Sequence, residues 1–278
     1  MTKKKNNIMA IMYDFDNTLC IGDMQNYGFI PAVGMQPQEF WHKTGEIAKK
    51  EKSEKILTFL YAMVMMSREK KIPLTREYLK NQGRDIKYFP GVLSWFDRIN
   101  AYGKSKGIKV EHYLVTSGNK EIVEGCVIAP HFKQIFGSEY IYDKDTKEAI
   151  WVKNMINYTQ KTQYFFRISR GVTDITNDDD VNKRVEEKNK RIPYRNFVYI
   201  GDGMTDVACM VLVKEKGGKS IAVYPEGKKE KIQYLIDEER VNLSCRADYR
   251  HNSPIDRTIR LLIDNLEIIN KIKEEEEK

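Results

Sequence analysis

The chain has 278 residues, of which 41% are hydrophobic, and its formal net charge is +7, from 47 Lys and Arg against 40 Asp and Glu. This length allows a large buried core and more than one structural unit. Basic residues are dispersed among acidic ones, so the excess charge favours a salt-bridged surface and an anionic small molecule, and we expect no nucleic acid partner. No run approaches the ~18 apolar residues that cross a bilayer, so we expect no membrane partner either.

Cysteine spacing indicates the state of the thiols, and the spacing of apolar residues near the end of the chain indicates a helix. The four cysteines are scattered and form no Cys-x-x-Cys pair, so we expect reduced thiols and a cytoplasmic protein. Apolar residues between 255 and 269 recur at spacings of four and three, which predicts a final helix. Packing of that helix on its own sheet is favoured over a dimer interface, and both a monomer and a homodimer fit the pattern.

The first predicted strand delivers two carboxylates and a hydroxyl to its end. Residues 8–13 are largely apolar and run directly into Asp14, Phe15, Asp16, Asn17 and Thr18. Open α/β sheets bind ligands at the carboxyl ends of their strands. With a divalent cation offsetting their repulsion, one carboxylate of Asp14 and Asp16 can attack and the other can transfer a proton. This pattern indicates phosphoryl transfer.

Two further strands end in polar groups. Residues 197–200 are apolar and precede the segment Gly-Asp-Gly-Met-Thr-Asp, which contains Asp202 and Asp206. Residues 113–115 precede Thr116, Ser117 and Gly118, where hydroxyl and backbone N–H groups can donate to a phosphate. Alone, the Thr-Ser-Gly motif is typical of an ordinary turn with a helix cap. It indicates a phosphate site only together with the acids that follow the other two strands.

Taken in order, these motifs resemble the haloacid dehalogenase-like (HAD) superfamily of magnesium-dependent phosphohydrolases, and the phosphoserine-phosphatase-like branch in particular. The resemblance covers roughly residues 7–20 and 88–225. It implies an α/β fold with a Rossmann-like parallel sheet and an inserted all-helical cap of the first type. It also implies a Mg2+-dependent phosphatase that acts on a small phosphorylated metabolite through an aspartyl-phosphate intermediate.

The resemblance assigns a role to each motif residue. Asp14 would be the nucleophile, and Asp16 the general acid and base. Mg2+ would be held by the carboxylates of Asp14 and Asp202 and by the backbone carbonyl of Asp16. Asp206 would either bind the ion or lie just behind its ligands. Three residues are expected to contact the phosphate: Ser117, Gly118 and, as the alternative register of the hydroxyl, Thr116.

The family also has a lysine that neutralises the phosphate and orients the nucleophile. Lys161 is preferred, because it opens an apolar stretch about forty residues before Asp202. Lys144, Lys147 and Lys153 are the alternatives, since spacing alone does not choose among lysines.

Between the first strand and residue 88 the pattern is helical. Apolar residues at helical spacing occupy positions 36–82. We therefore expect a core domain of residues 1–20 and 88–278 and a helical cap of residues 21–87, which would close over Asp14 and control substrate choice. Candidate substrate contacts in the cap are Asp23, Lys43 and Arg68. Asp23 lies where phosphoserine phosphatases place an acid that contacts the substrate amino group, although the residues around it do not match.

Two alternatives to a phosphatase remain open. The aspartyl-phosphate of a phosphomutase or phosphotransferase passes to another hydroxyl instead of water. A basic, non-catalytic binding protein is the second alternative, and four intact acids argue against it because a binding module has no need of such clustered charge.

Overall fold

A seven-stranded sheet forms the centre of the molecule. The structure is a computed structural model that describes residues 7–276 and 278, the side chain of Lys188 excepted. The strands lie in the order β4-β3-β2-β1-β5-β6-β7, and every neighbouring pair is parallel except β3 and β4. Their bounds are β1 (Ile8–Tyr13), β2 (Lys109–Asn119), β3 (Phe132–Tyr142), β4 (Ala149–Asn154), β5 (Phe197–Gly201), β6 (Lys219–Tyr224) and β7 (Leu243–Arg246).

Helices cover both faces of this sheet. The α-helices are α1 (Phe29–Ala32), α2 (Pro37–Glu51), α3 (Lys55–Glu69), α4 (Arg76–Gln82), α5 (Val92–Ser105), α6 (Lys120–Glu124), α7 (Lys161–Arg170), α8 (Asp178–Asn182), α9 (Val207–Glu215), α10 (Gln233–Asp237) and α11 (Pro254–Glu276). Short 3-10 helices are Met24–Tyr27, Gly83–Asp85, Ala129–His131, Glu187–Asn189, Tyr194–Asn196, Met204–Asp206 and Lys229–Ile232. None of the helices within the described residues is both long and apolar enough to span a membrane.

Strand β1 is buried from both sides. Alternate side chains of a strand point to opposite faces, so Ile11 and Tyr13 join one hydrophobic cluster while Ala10 and Met12 join the other. Because β2 and β5 flank β1, the chain reverses its direction of progress across the sheet at β1. The carboxyl end of β1 is therefore the point at which an open α/β sheet binds its ligand.

The helical segment leaves and rejoins the sheet through a two-stranded neck. The N–H of Ile21 donates to the carbonyl of Lys87 at 2.9 Å, and the N–H of Phe89 donates to the carbonyl of Leu19 at 3.0 Å. Helices α1 to α4 lie between these crossings. The division into a core domain and a cap of residues 21–87 stays a prediction, and residues 1–6 of that core lie outside the described part of the chain.

The α/β fold with helices inserted after the first strand is confirmed, with one difference. The predicted sheet was parallel, whereas β4 is an antiparallel edge strand that pairs with β3 as a hairpin. Short apolar runs at residues 140–142 and 149–152 lie in the two strands of this hairpin. Strand β7 was missed, because it is four residues long and only one of them is buried. All four cysteines are unpaired and buried, as expected.

Candidate active site

Asp14 lies where two central strands end. Its N–H donates to the carbonyl of Ile200 at 2.9 Å, which joins the end of β1 to the end of β5. The residue is almost completely buried, with 4% of its surface exposed. Asp202 follows β5 and faces the same cavity. The two strands thus bring their acids together, as parallel pairing of neighbouring strands requires.

Lys161 brings the first residue of α7 to the ends of β1 and β5. It is the first residue of α7, it is fully buried, and its Nζ lies 2.9 Å from Oδ1 of Asp14 and 2.7 Å from Oδ1 of Asp206. Burial acts to lower the pKa of Lys161, but the two carboxylates outweigh it and raise the pKa above the usual range. Lys161 is therefore a permanent ammonium at the site.

The alternative lysines lie elsewhere. Lys153 pairs with Oε1 of Glu139 at 3.1 Å, and Lys147 donates to the backbone carbonyl of Lys144 in the hairpin loop. Of the four candidates, Lys161 is thus the one that contacts Asp14. Its predicted role toward a phosphate stays a prediction.

Asp206 is held by four donors. Its Oδ1 accepts from Nζ of Lys161 at 2.7 Å and from the hydroxyl of Tyr199 at 2.6 Å. Its Oδ2 accepts from the N–H of Asp202 at 3.0 Å and from the N–H of Gly203 at 3.2 Å. Both oxygens are engaged, so Asp206 is suited to fixing Lys161 and the turn that carries Asp202.

A glycine is required where this turn begins. A Cβ at Gly201 would lie 2.5 Å from Oδ2 of Asp206, closer than real contacts allow. The carboxylate would then lose its approach to the backbone N–H groups of the turn. Gly201 is thus needed so that the carboxylate of Asp206 can approach the backbone of the turn.

Three carboxylates form a compact group. Oxygen atoms of Asp14, Asp202 and Asp206 all lie within 4.8 Å of one another. Burial, followed by the charge of Asp206, raises the pKa of Asp14 to about 7, and burial with the charges of Asp206 and Asp14 raises that of Asp202. Three carboxylates facing one ammonium leave two negative charges uncompensated when all are ionised. Hard oxygen donors and this charge fit a divalent cation.

Asp16 sits beside the carboxylate group in a different environment. Its Oδ1 accepts from the N–H of Met24 at 2.7 Å. Burial raises the pKa of Asp16 well above its usual range, and the charges of Asp23 and Asp14 raise it further. A carboxyl group whose pKa is raised by burial is suited to donating a proton. The side chain of Asp16 does not belong to the three-carboxylate group, and the predicted metal contact of its carbonyl stays a prediction.

Ser117 and Thr116 differ in what their hydroxyls do. Ser117 lines the cavity, and its Oγ is buried without a hydrogen-bond partner. Thr116 Oγ1 instead accepts from the N–H of Gly118 at 3.0 Å and shapes the turn. Gly118 lines the cavity close to Oδ2 of Asp16. The hydroxyl of Ser117 is therefore able to donate to a ligand in the cavity, and its predicted contact with a phosphate stays a prediction.

These groups surround a cavity of about 250 Å³. Its floor consists of strand-end residues, and its upper wall comes from the helical segment. We call that wall the roof, and it comprises Asp23, Gln25, Trp41, Ile56 and Phe59. The rings of Trp41 and Phe59 pack edge to face with centroids 5.6 Å apart.

Sequence reasoning placed some cap residues wrongly. Lys43 and Arg68, which we expected near the substrate, line a different groove on the outer side of α2 and α3. Gln25, Trp41, Ile56 and Phe59 were not predicted, and neither was the anchoring hydroxyl of Tyr199. The one sequence signal for Trp41, Ile56 and Phe59 was apolar spacing, which does not distinguish a helix face that meets a cavity from one that meets the core.

Comparisons with known proteins bear on the fold of this chain. No family model matches the chain. An uncharacterized protein of Borreliella burgdorferi strain B31 is 27% identical over 271 residues, with 88% of this chain and 93% of that protein covered. A HAD family hydrolase from Salmonella enterica serovar Typhi superposes with a TM-score of 0.59 at 14% identity, covering 92% of this chain and 71% of that one.

The fold is therefore that of the HAD-like hydrolases, as the motifs predicted. A phosphoserine phosphatase, solved as an analogue of its phospho-aspartyl intermediate, superposes with a TM-score of 0.52 at 17% identity, covering 85% of this chain and 92% of that one. At this identity the likeness concerns the fold, and the chemistry of the chain has to be argued from its own residues.

Proposed function

We propose that this protein is a Mg2+-dependent phosphatase that hydrolyses a small phosphate monoester through an aspartyl-phosphate on Asp14. The observation that carries the proposal is the pairing of Asp14 with a fully buried Lys161, at the edge of a cavity that also holds a carboxylic acid and an unpartnered serine hydroxyl. This set supplies a nucleophile, a positive charge, a proton donor and a phosphate ligand.

The metal would be held by side chains that still have free oxygens. Asp14 and Asp202 line the cavity, whereas both oxygens of Asp206 accept from other donors. We therefore assign direct contact to Asp14 and Asp202, and a supporting position to Asp206. A bound Mg2+ would offset the repulsion between the carboxylates and share the phosphate charge.

Asp14 attacks phosphorus and the alcohol departs, while Asp16 gives its proton to the departing oxygen. Asp16, now ionised, then takes a proton from the water that hydrolyses the aspartyl-phosphate, which restores both carboxyl groups. Lys161 keeps the attacking carboxylate oriented and balances charge on the phosphate. Ser117 donates to a phosphate oxygen. The roof excludes bulk water from the intermediate.

A phosphate-release assay tests the proposal. We would measure phosphate release from a panel of phosphorylated metabolites and p-nitrophenyl phosphate, with Mg2+ and with EDTA, for the wild type and for Asp14→Asn. We expect Mg2+-dependent release by the wild type and less than a few per cent of it by the variant, whose melting temperature should stay close to that of the wild type. Substantial turnover by a folded Asp14→Asn protein would contradict the role of Asp14.

A labelled-water experiment separates hydrolysis from transfer. In water enriched in oxygen-18, a phosphatase places the label in the released phosphate. A phosphotransferase given an acceptor alcohol would instead yield a new unlabelled ester.

A further inference from the structure

The backbone that carries Ser117 is fixed from the core side. We call residues 116–119, which end β2, the serine turn. Oγ of Ser138 donates to the carbonyl of Ser117 at 2.9 Å, and the N–H of Gly118 donates to Oγ1 of Thr116 at 3.0 Å. Neither bond uses the hydroxyl of Ser117, which has no hydrogen-bond partner. The core thus holds the turn and leaves the hydroxyl able to bind a ligand.

The helical segment holds the same turn from the other side. Met24 and Gln25 begin the 3-10 helix Met24–Tyr27, and both are buried. Nε2 of Gln25 donates to Oδ1 of Asn119, the last residue of the serine turn, at 3.0 Å. A Cβ at Gly118 would lie 2.2 Å from Cε of Met24, so this close approach requires a glycine. One short helix therefore contacts two of the four residues of the turn.

The side chain of Asn119 depends on its bond from Gln25. Asn119 is fully buried, and its Nδ2 has no hydrogen-bond partner among the described residues. A buried amide that loses its hydrogen bond pays the cost of desolvation without compensation. Asn119 also connects Gly118 to α6 and makes no side-chain capping bond there. A shift of Asn119 would therefore displace the serine turn.

Gln25 belongs to the roof as well as to this frame. It lines the cavity together with Ser117 and Gly118. Its Nε2 is directed at the serine turn and not at the carboxylates that follow β1 and β5. Gln25 thus joins the wall around the alcohol part of a substrate to the turn that would meet the phosphate.

We propose that Gln25 is a positioning residue that acts through Asn119 on Ser117 and so makes the roof part of the phosphate site. This inference rests on the proposed phosphatase function. In this role Gln25 does not touch the transferred phosphoryl group, but fixes the direction in which the Ser117 hydroxyl donates. Phosphate then binds well only while the 3-10 helix Met24–Tyr27 is in place.

Binding of inorganic phosphate tests the proposal without turnover. Its Kd is measured by calorimetry in the presence of Mg2+ for the wild type and for Gln25→Met, which keeps the length of the side chain and removes the amide. We expect the Kd to rise by about fivefold or more, the scale of one lost hydrogen bond. Gln38→Met makes the same change at an exposed position of the helical segment and should keep the wild-type Kd.

Kinetics distinguish positioning from direct contact with the alcohol part. The preferred metabolite and p-nitrophenyl phosphate share the phosphate and differ in the alcohol. Gln25→Met should lower kcat/KM for both by the same factor, to within about twofold, because the serine turn acts on the phosphate. A loss confined to the metabolite, with an unchanged Kd for phosphate, would overturn the positioning role.

A double-mutant cycle assigns the effect to Ser117. If Gln25 acts through the Ser117 hydroxyl, adding Gln25→Met to Ser117→Ala should change the Kd for phosphate by less than about twofold. Independent contributions would add, so a full second loss in the Ser117→Ala background would contradict the proposed route.

Melting temperatures show which variants fold. If Gln25→Met does not fold, Gln25→Asn replaces it, and the same loss is expected because its amide is one methylene too short to reach Asn119. If neither variant folds, the bond supports the fold and the positioning role is overturned.

The outcomes separate this inference from the proposed function. An unchanged Kd for phosphate in a folded Gln25 variant overturns the inference, and the phosphatase function stands if p-nitrophenyl phosphate is still hydrolysed in an Asp14-dependent way. If no phosphate monoester is hydrolysed, the phosphatase proposal fails, while a Kd for phosphate that depends on Gln25 and Ser117 together still supports the positioning role.

Discussion

The ammonium of Lys161 lies 2.7 Å from Oδ1 of Asp206, and both side chains are completely buried. Two residues 45 positions apart in the chain are thereby paired without solvent. Removing one partner of a buried ion pair leaves the other charge uncompensated, which costs more free energy than the pair itself contributes. This pair therefore couples the stability of the fold to the placement of the ammonium beside Asp14.

The first prediction follows from that pair. Asp206→Ala should lower the free energy of unfolding by about 3–5 kcal/mol, because it removes one of the two carboxylates that pair with the buried ammonium of Lys161 and removes the acceptor of two backbone N–H groups. Asp180→Ala is the control, since its pair with Lys183 is largely exposed and should contribute little to stability. Urea denaturation measures both. Equal losses for the two variants would contradict the prediction.

The second prediction concerns Asp16. Asp16→Asn should slow hydrolysis of an alkyl phosphate by about 10²- to 10⁴-fold, the range for loss of a general acid and base. The loss should be smaller for p-nitrophenyl phosphate, whose leaving group needs no proton. Steady-state kinetics with both esters decide the matter. An unchanged rate with the alkyl ester would exclude Asp16 as the proton donor.

The third prediction concerns the metal. EDTA should abolish turnover and Mg2+ should restore it, whereas Ca2+ should restore it poorly because its larger coordination shell misplaces the reacting groups. Asp202→Ala should raise the Mg2+ concentration needed for half-maximal activity. Asp145→Ala, at an exposed position in the β3–β4 loop, should leave it unchanged. Full activity in metal-free buffer would refute the metal assignment.

The fourth prediction concerns the pH dependence of stability. His112 is buried, its Nδ1 lies 2.9 Å from the hydroxyl of Tyr13, and its Nε2 lies 3.2 Å from Oδ1 of Asn100. A neutral imidazole protonated on Nε2 satisfies both contacts. Burial, helped by the charge of His131, lowers the pKa of His112 to about 3.

The sign of the effect is fixed by this depressed pKa. Below about pH 6.5, His112 binds a proton in the unfolded chain but stays neutral in the folded chain. The free energy of unfolding therefore falls by up to about 1.4 kcal/mol per pH unit as the pH is lowered from 6.5 to 3. Urea titrations at pH 6 and pH 4 should therefore show a smaller loss in His112→Gln than in the wild type. His251→Gln, at an exposed histidine, should match the wild type. Identical losses in all three proteins would refute the prediction.

The fifth prediction concerns the roof. Ile56→Ala should reduce kcat/KM for the preferred metabolite by about tenfold or more, the scale of lost methylene contacts in a binding pocket, and should reduce it less for p-nitrophenyl phosphate. Lys43→Ala and Arg68→Ala, which change the outer groove, should leave the ratio of the two substrates unchanged. If both groups of variants shift the ratio equally, the roof does not determine substrate choice.

The sequence predicted the strand-end residues of the site more readily than the roof. Asp14 and Asp202 directly follow apolar runs, and parallel strands bring their carboxyl ends together whatever the connecting segments do. Lys161 was preferred because it opens an apolar stretch, which is now the buried face of α7. Contact between Lys161 and Asp206 depends on packing across the molecule, which no local pattern records.

The roof illustrates what periodicity leaves out. Trp41 and Lys43 are two positions apart on α2, yet one lines the cavity and the other lines the outer groove. A residue's place in a helical repeat fixes its face, but the direction of that face depends on how α2 and α3 pack. Polar character directed attention to Lys43 and Arg68, but the part of the roof that α2 and α3 supply consists of Trp41, Ile56 and Phe59.

The neck has a consequence for how such an enzyme can diverge. Residues 19–21 and 87–89 are hydrogen-bonded to each other, so the chain that leaves the sheet after β1 returns within one strand spacing of its departure. A segment of another length or shape can be spliced between these two points while β1 and β5 keep their register. Exchanging this one stretch of the chain would replace the roof and leave Asp14, Lys161 and Asp206 in place, so under the proposed function substrate range and catalytic chemistry could be inherited separately.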